Sequence, residues 1–225
     1  MCFSAEVSFV TGMVLLPLGI YGTVQAMRYE KRYLLFALMP LIFGAQQLIE
    51  GMVWLHWHEH DSYGLYQAAL QYTFIAFFFW PMYLPLSIYL IEPDKNRKKI
   101  IGFVALFGFL LGSVIYFPLL FGAEKLHVQI VNDSITYNIV PPSSLFYIYT
   151  LLYIGVTIFP TLYCSLKEIK IFGILSLASA LCAGYLFHYA FTSTWCFFAA
   201  ILSVYAIYCL HKFCCIPLPL SHGNA

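Results

Sequence analysis

Glu50 is the one acidic side chain set well inside an apolar stretch of this chain, and Gln46 and Gln47 precede it by four and three residues. In a helix that spacing puts an amide and a carboxylate on one face. A carboxyl group in hydrocarbon is costly, so it should turn into a helix bundle and find a partner there. His188, at similar depth in a later stretch, is the natural partner, and Tyr189 is a further donor beside it. Two readings fit these residues. One is a proton-titrating pair, with Glu50 as carboxylate, His188 as partner and Gln46 or Gln47 as donors. The other is a neutral Glu that ties helices together.

Cys2 and Cys196 form a second set, each near the start of an apolar stretch on one side of the chain's topology. In an oxidising compartment they could be joined as a disulfide, which needs Cα atoms within about 7 Å. Left as thiols facing Glu50, they are metal-ligand candidates together with His188. An enzymatic reading makes Cys2 a nucleophile, with removal of Met1 placing an α-amine and a thiol near Glu50 and His188. A thiol becomes reactive when positive neighbours lower its pKa, and His188 would be that neighbour. Cys209, Cys214 and Cys215 fall at the opposite side and read as reduced thiols or acylation sites.

His56, His58, Glu59, His60 and Asp61 look like a metal cluster. Trp54 and Trp57 beside them mark an interfacial belt, so a solvated loop is the expectation. There is no His-Glu-x-x-His helix, phosphate-binding Gly loop or Gly-x-Ser-x-Gly elbow. Retinal chemistry would need a Lys within the last span, and Lys212 stands at its end. A formal net charge of +1 gives no reason to expect nucleic acid. No cofactor is indicated.

These residues must be positioned by membrane helices. The chain is 62% hydrophobic and 9% charged, against roughly a quarter charged in soluble domains. Stretches of about 20 apolar residues span a bilayer as helices. Seven are expected, near 5–26, 33–56, 65–91, 100–122, 145–166, 171–190 and 193–211, in a single all-α membrane domain covering 1–225. Ten of the eleven Lys and Arg residues follow spans one, three, five or seven, and Lys125 is the exception. Basic loops stay in the cytoplasm, which puts the N-terminus outside and the C-terminus inside. Span one lacks a basic leading segment and a small-residue cleavage pattern, so it does not read as a cleaved signal peptide. The lipid bilayer is the expected partner, and Lys95–Lys99 would meet anionic headgroups.

Between spans four and five, residues 127–131 and 135–139 are rich in β-branched types and flank Asn132-Asp133-Ser134. That pattern predicts a short β-hairpin, either a lid or a connector. Ser143 or Ser144 can cap the helix after it. Trp80-Pro81-Met82-Tyr83-Leu84-Pro85 should kink span three, since proline frees carbonyls that neighbours must satisfy. Aligning Arg32 with Lys170 sets Gly44, Gln46 and Glu50 opposite Cys182, Gly184 and His188. Spans one to three and five to seven would then be a 3+1+3 parallel repeat.

Met1-Cys2-Phe3-Ser4-Ala5, Phe43-Gly44-Ala45-Gln46-Gln47-Leu48-Ile49-Glu50-Gly51 and Phe191-Thr192-Ser193-Thr194-Trp195-Cys196 together resemble an uncharacterised family of bacterial integral membrane proteins that open Met-Cys-Phe-Ser-Ala. The Trp80-Pro81 step and Phe172-Gly173 fit as well. The resemblance covers essentially the whole chain and implies a multi-pass protein of the bacterial inner membrane with no established activity. It draws attention to Cys2, Gln47, Glu50, Trp195 and Cys196. A second likeness, in topology and in Pro17 and Pro160 above basic loops, is to seven-helix transporters with a Pro-Gln loop; here Leu18 and Thr161 follow those prolines. The function expected is a small-molecule transporter or ligand receptor with an outward-side polar pocket around Glu50. A membrane enzyme or metal protein using Cys2, Glu50 and His188, and a structural or assembly protein, are the alternatives.

Overall fold

Hydropathy alone dictates the outline, and the computed structural model, which describes residues 4–122, 126–139 and 143–215, follows it. Six helical rods are long and apolar enough to cross a membrane, and a seventh has its described apolar part at Ile148–Tyr163. The first rod is α1 (Ala5–Tyr29), which the Ser4 side chain caps on the Val7 amide. The second is interrupted: α2 (Leu34–Ala37) gives way at Leu38 to α3 (Met39–His58), with Pro40 at the start of α3. The Tyr83 hydroxyl donates to the Leu35 carbonyl beside this break.

The third rod is three segments: α4 (Ser62–Thr73), a π-helical stretch Phe74–Phe79, and α5 (Trp80–Ile91). The two prolines explain its irregularity. In the π stretch the Trp80 amide bonds Ile75, so the Ala76 carbonyl faces Pro81, which has no N–H to give. The Tyr153 hydroxyl fills that place at 2.6 Å. Pro85 likewise frees the Pro81 carbonyl, and the backbone of Gly108 lies against it so closely that a Cβ there would overlap the oxygen.

The remaining rods are α6 (Lys95–Leu120), α7 (Ser143–Tyr163), α8 (Lys167–Leu186) and α9 (Phe191–Cys215). Neighbours in sequence run antiparallel. Gly12 meets Gly44 and Leu48 while Gly19 meets Leu41, and Gly112 meets Phe78 while Gly102 meets Tyr89. α1 and α9 touch, Gly22 against Ile207 and Tyr21 against His211.

The boundaries of the later rods differ from the expected ones. α6 begins at Lys95 because Asp94 accepts from the Asn96 and Arg97 amides. α8 ends at Leu186, and a 3₁₀ turn at His188–Ala190 joins it to α9. The junction therefore lies before Phe191, where the sequence reading had put it at Phe191 and Thr192.

The hairpin has the expected strands, β1 (Leu126–Val131) and β2 (Ser134–Ile139), paired antiparallel with Val131 opposite Ser134. Asn132 and Asp133 both have positive φ, 47° and 54°, as a two-residue turn matched to strand twist requires. Tyr137 stacks on Tyr72 at 4.5 Å. The hairpin is thus packed onto the bundle. Pro141, Pro142 and the side chains of Ser143 and Ser144 lie outside the described part.

The opposite end gathers the basic residues. Glu92, between α5 and α6, accepts from the Ser165 amide at 2.7 Å, the Ser165 hydroxyl at 2.6 Å and the Asp94 amide at 2.9 Å. Burial pulls the Glu92 pKa up, but these donors outweigh it and hold the group below the ordinary carboxylate value. Arg97 donates to the Tyr163 carbonyl at 2.7 Å and lies over its ring. Beside them, burial pushes the Cys164 thiol up to about 12. Lys212 pairs with Glu168.

Candidate functional site

The seam between α3 and α9 holds the polar residues. Gln46, Gln47 and Glu50 share one face of α3, as their spacing requires, and all three are fully buried. Glu50 Oε1 accepts from the Ser193 hydroxyl at 2.6 Å, and Oε2 accepts from Gln47 Nε2 at 3.2 Å. Ser193 is the third residue of α9, so the carboxyl faces the positive end of that helix's dipole, which favours an anion. Gln46 turns its carbonyl to the Trp80 indole, Nε1 to Oε1 2.8 Å. Trp80 in turn stacks on Phe43 at 4.0 Å.

α9 brings three more residues of its opening turns to this seam: Thr194, Trp195 and Cys196, all buried. The Cys196 thiol lies beside the Tyr72 hydroxyl, the Gln46 side chain and Glu50. Several buried polar atoms here have no hydrogen-bond partner among the described residues: Gln46 Nε2, Gln47 Oε1, Thr194 Oγ1 and Trp195 Nε1.

Toward the basic end lies a part-open cavity of about 50 Å³. Phe43 of α3, Trp80 of α5, Tyr153 of α7, Phe172 of α8 and Trp195 and Cys196 of α9 line it. Glu50 does not, although Trp80 and Cys196 touch both places. Residues of α3, α5, α7, α8 and α9 line the cavity, with α3 packed on α9 and α5 on α7.

Gln46, Gln47, Glu50, Trp195 and Cys196, each singled out by the sequence, are thus drawn to one neighbourhood. His188 is not. With α8 ending at Leu186, it falls on the connecting turn, exposed and edge-on to Tyr189 at 5.6 Å, while Glu50 is wholly buried. The two residues that the repeat alignment sets opposite each other, Glu50 and His188, therefore have different surroundings. Cys196 carries a free thiol, and Cys2, its expected disulfide partner and fellow ligand, lies outside the described residues. Among the described residues no three His, Cys, Asp or Glu side chains come together to hold a metal ion.

The His56–Asp61 loop is tied to itself. His56 Nδ1 meets Asp61 Oδ2 at 3.0 Å, Asp61 caps α4 on the Gly64 amide, and His58 stacks on Trp54. Sequence reasoning missed Ser193 as the partner of Glu50. It lay inside the Phe-Thr-Ser-Thr-Trp-Cys run already noticed, but nothing in that run says which hydroxyl faces α3.

No curated protein and no solved structure matches this chain. A family of unknown function (DUF6629) matches residues 1–214. The match takes in the helix-borne carboxyl, its amide neighbours and the α9 residues facing them, and the chain belongs to that family.

Proposed function

We propose that the protein is a small-molecule transporter in which Glu50 takes up and releases a proton as the seam between α3 and α9 closes and opens. One observation carries the reading. A wholly buried carboxyl, bonded to Ser193, lies among buried polar residues of which Gln46, Gln47 and Thr194 each have a side-chain atom without a partner among the described residues. Each such atom costs about 1–3 kcal/mol if left unsatisfied. A purely structural seam has no use for that surplus, whereas a seam that opens to water or solute does. The cavity beside it offers the solute a place.

In this reading the N-terminus and the hairpin face outward and the C-terminus faces the cytoplasm of a bacterium, in keeping with the basic loops. Spans one to three and five to seven act as the two groups of a 3+1+3 arrangement around the cavity, with α6 as the link. A ligand receptor would use the same seam without net uptake.

The test is the alkylation rate of Cys196 in lipid nanodiscs, measured across pH in the wild type and in Glu50→Gln, with the other cysteines replaced in both. The wild-type profile should carry a step that Glu50→Gln lacks. Identical profiles would overturn the proton role.

A further inference from the structure

The cavity has a chemistry of its own. Among the described residues, its wall holds no Asp, Glu, Lys, Arg or His. A charged solute moved into it would give up its hydration and meet no countercharge. What it offers instead is aromatic surface from five helices. The Phe43–Trp80 stack and the edge-on pair of Trp195 and Tyr153, 5.7 Å apart, both border it.

Most polar groups of the wall are already used. Trp80 Nε1 is committed to Gln46, the Tyr153 hydroxyl to the Ala76 carbonyl, and the Thr157 hydroxyl to the Tyr153 carbonyl at 2.9 Å. The Ser176 hydroxyl of the wall has no bond described, and neither has Trp195 Nε1. Trp195 is 8% exposed, and its indole N–H has no acceptor among the described residues. An indole nitrogen can only donate. The complement to such a wall is an uncharged body with an acceptor for that indole N–H.

We propose that this cavity binds a small, flat, uncharged molecule whose hydrogen-bond acceptor is taken by the Trp195 indole N–H. This rests on the transporter reading and names its substrate class. The size agrees: about 50 Å³ holds only a few water-sized positions, at roughly 10–15 Å³ each. A single ring would fill the enclosed part and reach into the opening.

Equilibrium dialysis of the whole protein in nanodiscs, with empty nanodiscs subtracted, tests the class through three probes of like size: benzamide, benzoate and benzylammonium. Benzamide should bind saturably and the two ions should not. Trp195→Phe keeps the aromatic surface and removes the donor, so it should weaken benzamide by up to about tenfold and leave toluene unchanged. Ala199→Phe, which fills the cavity from α9, should abolish both.

Tighter binding of either ion, no benzamide binding, an unchanged benzamide affinity in Trp195→Phe, or full binding in Ala199→Phe would each overturn the assignment. Dialysis at one pH does not depend on the Glu50 proton. Failure here therefore leaves the Cys196 alkylation profile to decide the transporter reading separately.

Discussion

Tyr153 of α7 donates a 2.6 Å hydrogen bond to the carbonyl of Ala76, the backbone oxygen that faces Pro81. A side chain from another helix thereby completes a helix that its own sequence leaves incomplete. Tyr153→Phe keeps the ring and its contact with Trp195 but leaves that oxygen unserved. It should lower stability by about 1–3 kcal/mol, read as a drop in thermal midpoint in detergent. An unchanged midpoint would mean that the π stretch can satisfy Ala76 by itself.

Among the described glycines, Gly108 is the one where an added Cβ would meet a backbone atom most closely, the Pro81 carbonyl oxygen. A methyl group at Gly108 would fall on a carbonyl oxygen, which cannot swing aside as a side chain can. Gly108→Ala should therefore cost about 1–3 kcal/mol through overpacking. Gly155, which has nothing within 4 Å of a Cβ position, is the control: Gly155→Ala should be neutral or mildly stabilising in the same melt.

Ser193→Ala removes the shorter of the two bonds described to Glu50 while leaving the carboxyl in place. A buried acceptor left without its donor costs about 1–3 kcal/mol, so the melt should fall by that order. The pH step in Cys196 alkylation should also move, because the donor favours one protonation state of Glu50 over the other. A step that stays where the wild type has it would detach Ser193 from the proton.

At the basic end, Glu92 has a folded pKa below its ordinary value of 4.5. The stability it contributes is therefore complete above the unfolded value and is lost as pH falls through the lowered folded one. Glu92→Gln should lose stability at neutral pH, by about 1.5–3 kcal/mol for charge-assisted bonds. Its deficit against the wild type should narrow on acidification. A deficit constant between pH 7 and 3 would refute the ionised clasp.

Orientation is open to direct labelling. In a background without native cysteines, Asn132→Cys in the exposed hairpin turn should react with a membrane-impermeant maleimide in intact cells. Lys99→Cys, at the start of α6, should react only after permeabilisation. The reverse pattern would invert the topology.

The rods and the hairpin were legible because each rests on a local signal. Long apolar runs make helices, β-branched residues around Asn132-Asp133 make a hairpin, and i, i+3 and i+4 spacing puts Gln46, Gln47 and Glu50 on one face. What faces what was not legible. Ser193, Trp80 and Tyr153 meet their partners through the rotation of one helix against another, and apolar helices with weak amphipathic bias do not print that rotation in their sequence. His188 was misplaced for a simpler reason. A four-residue shift in the end of α8 carried it from a helix face to an exposed turn.

The Glu50–Ser193 bond also bears on how the protein is made. Ser193 leaves the ribosome 143 residues after Glu50, with four of the seven rods synthesised between them. Throughout that interval the nascent chain carries a carboxyl meant for the bilayer interior before α9 exists to receive it. Leaving it ionised in lipid is costly, so the partly built protein must either keep α3 high at the water interface or hold the group protonated until the last helix inserts. Truncation before α9 therefore exposes the chain to quality control at one identifiable residue, and Glu50→Gln should lengthen the lifetime of such a truncated product.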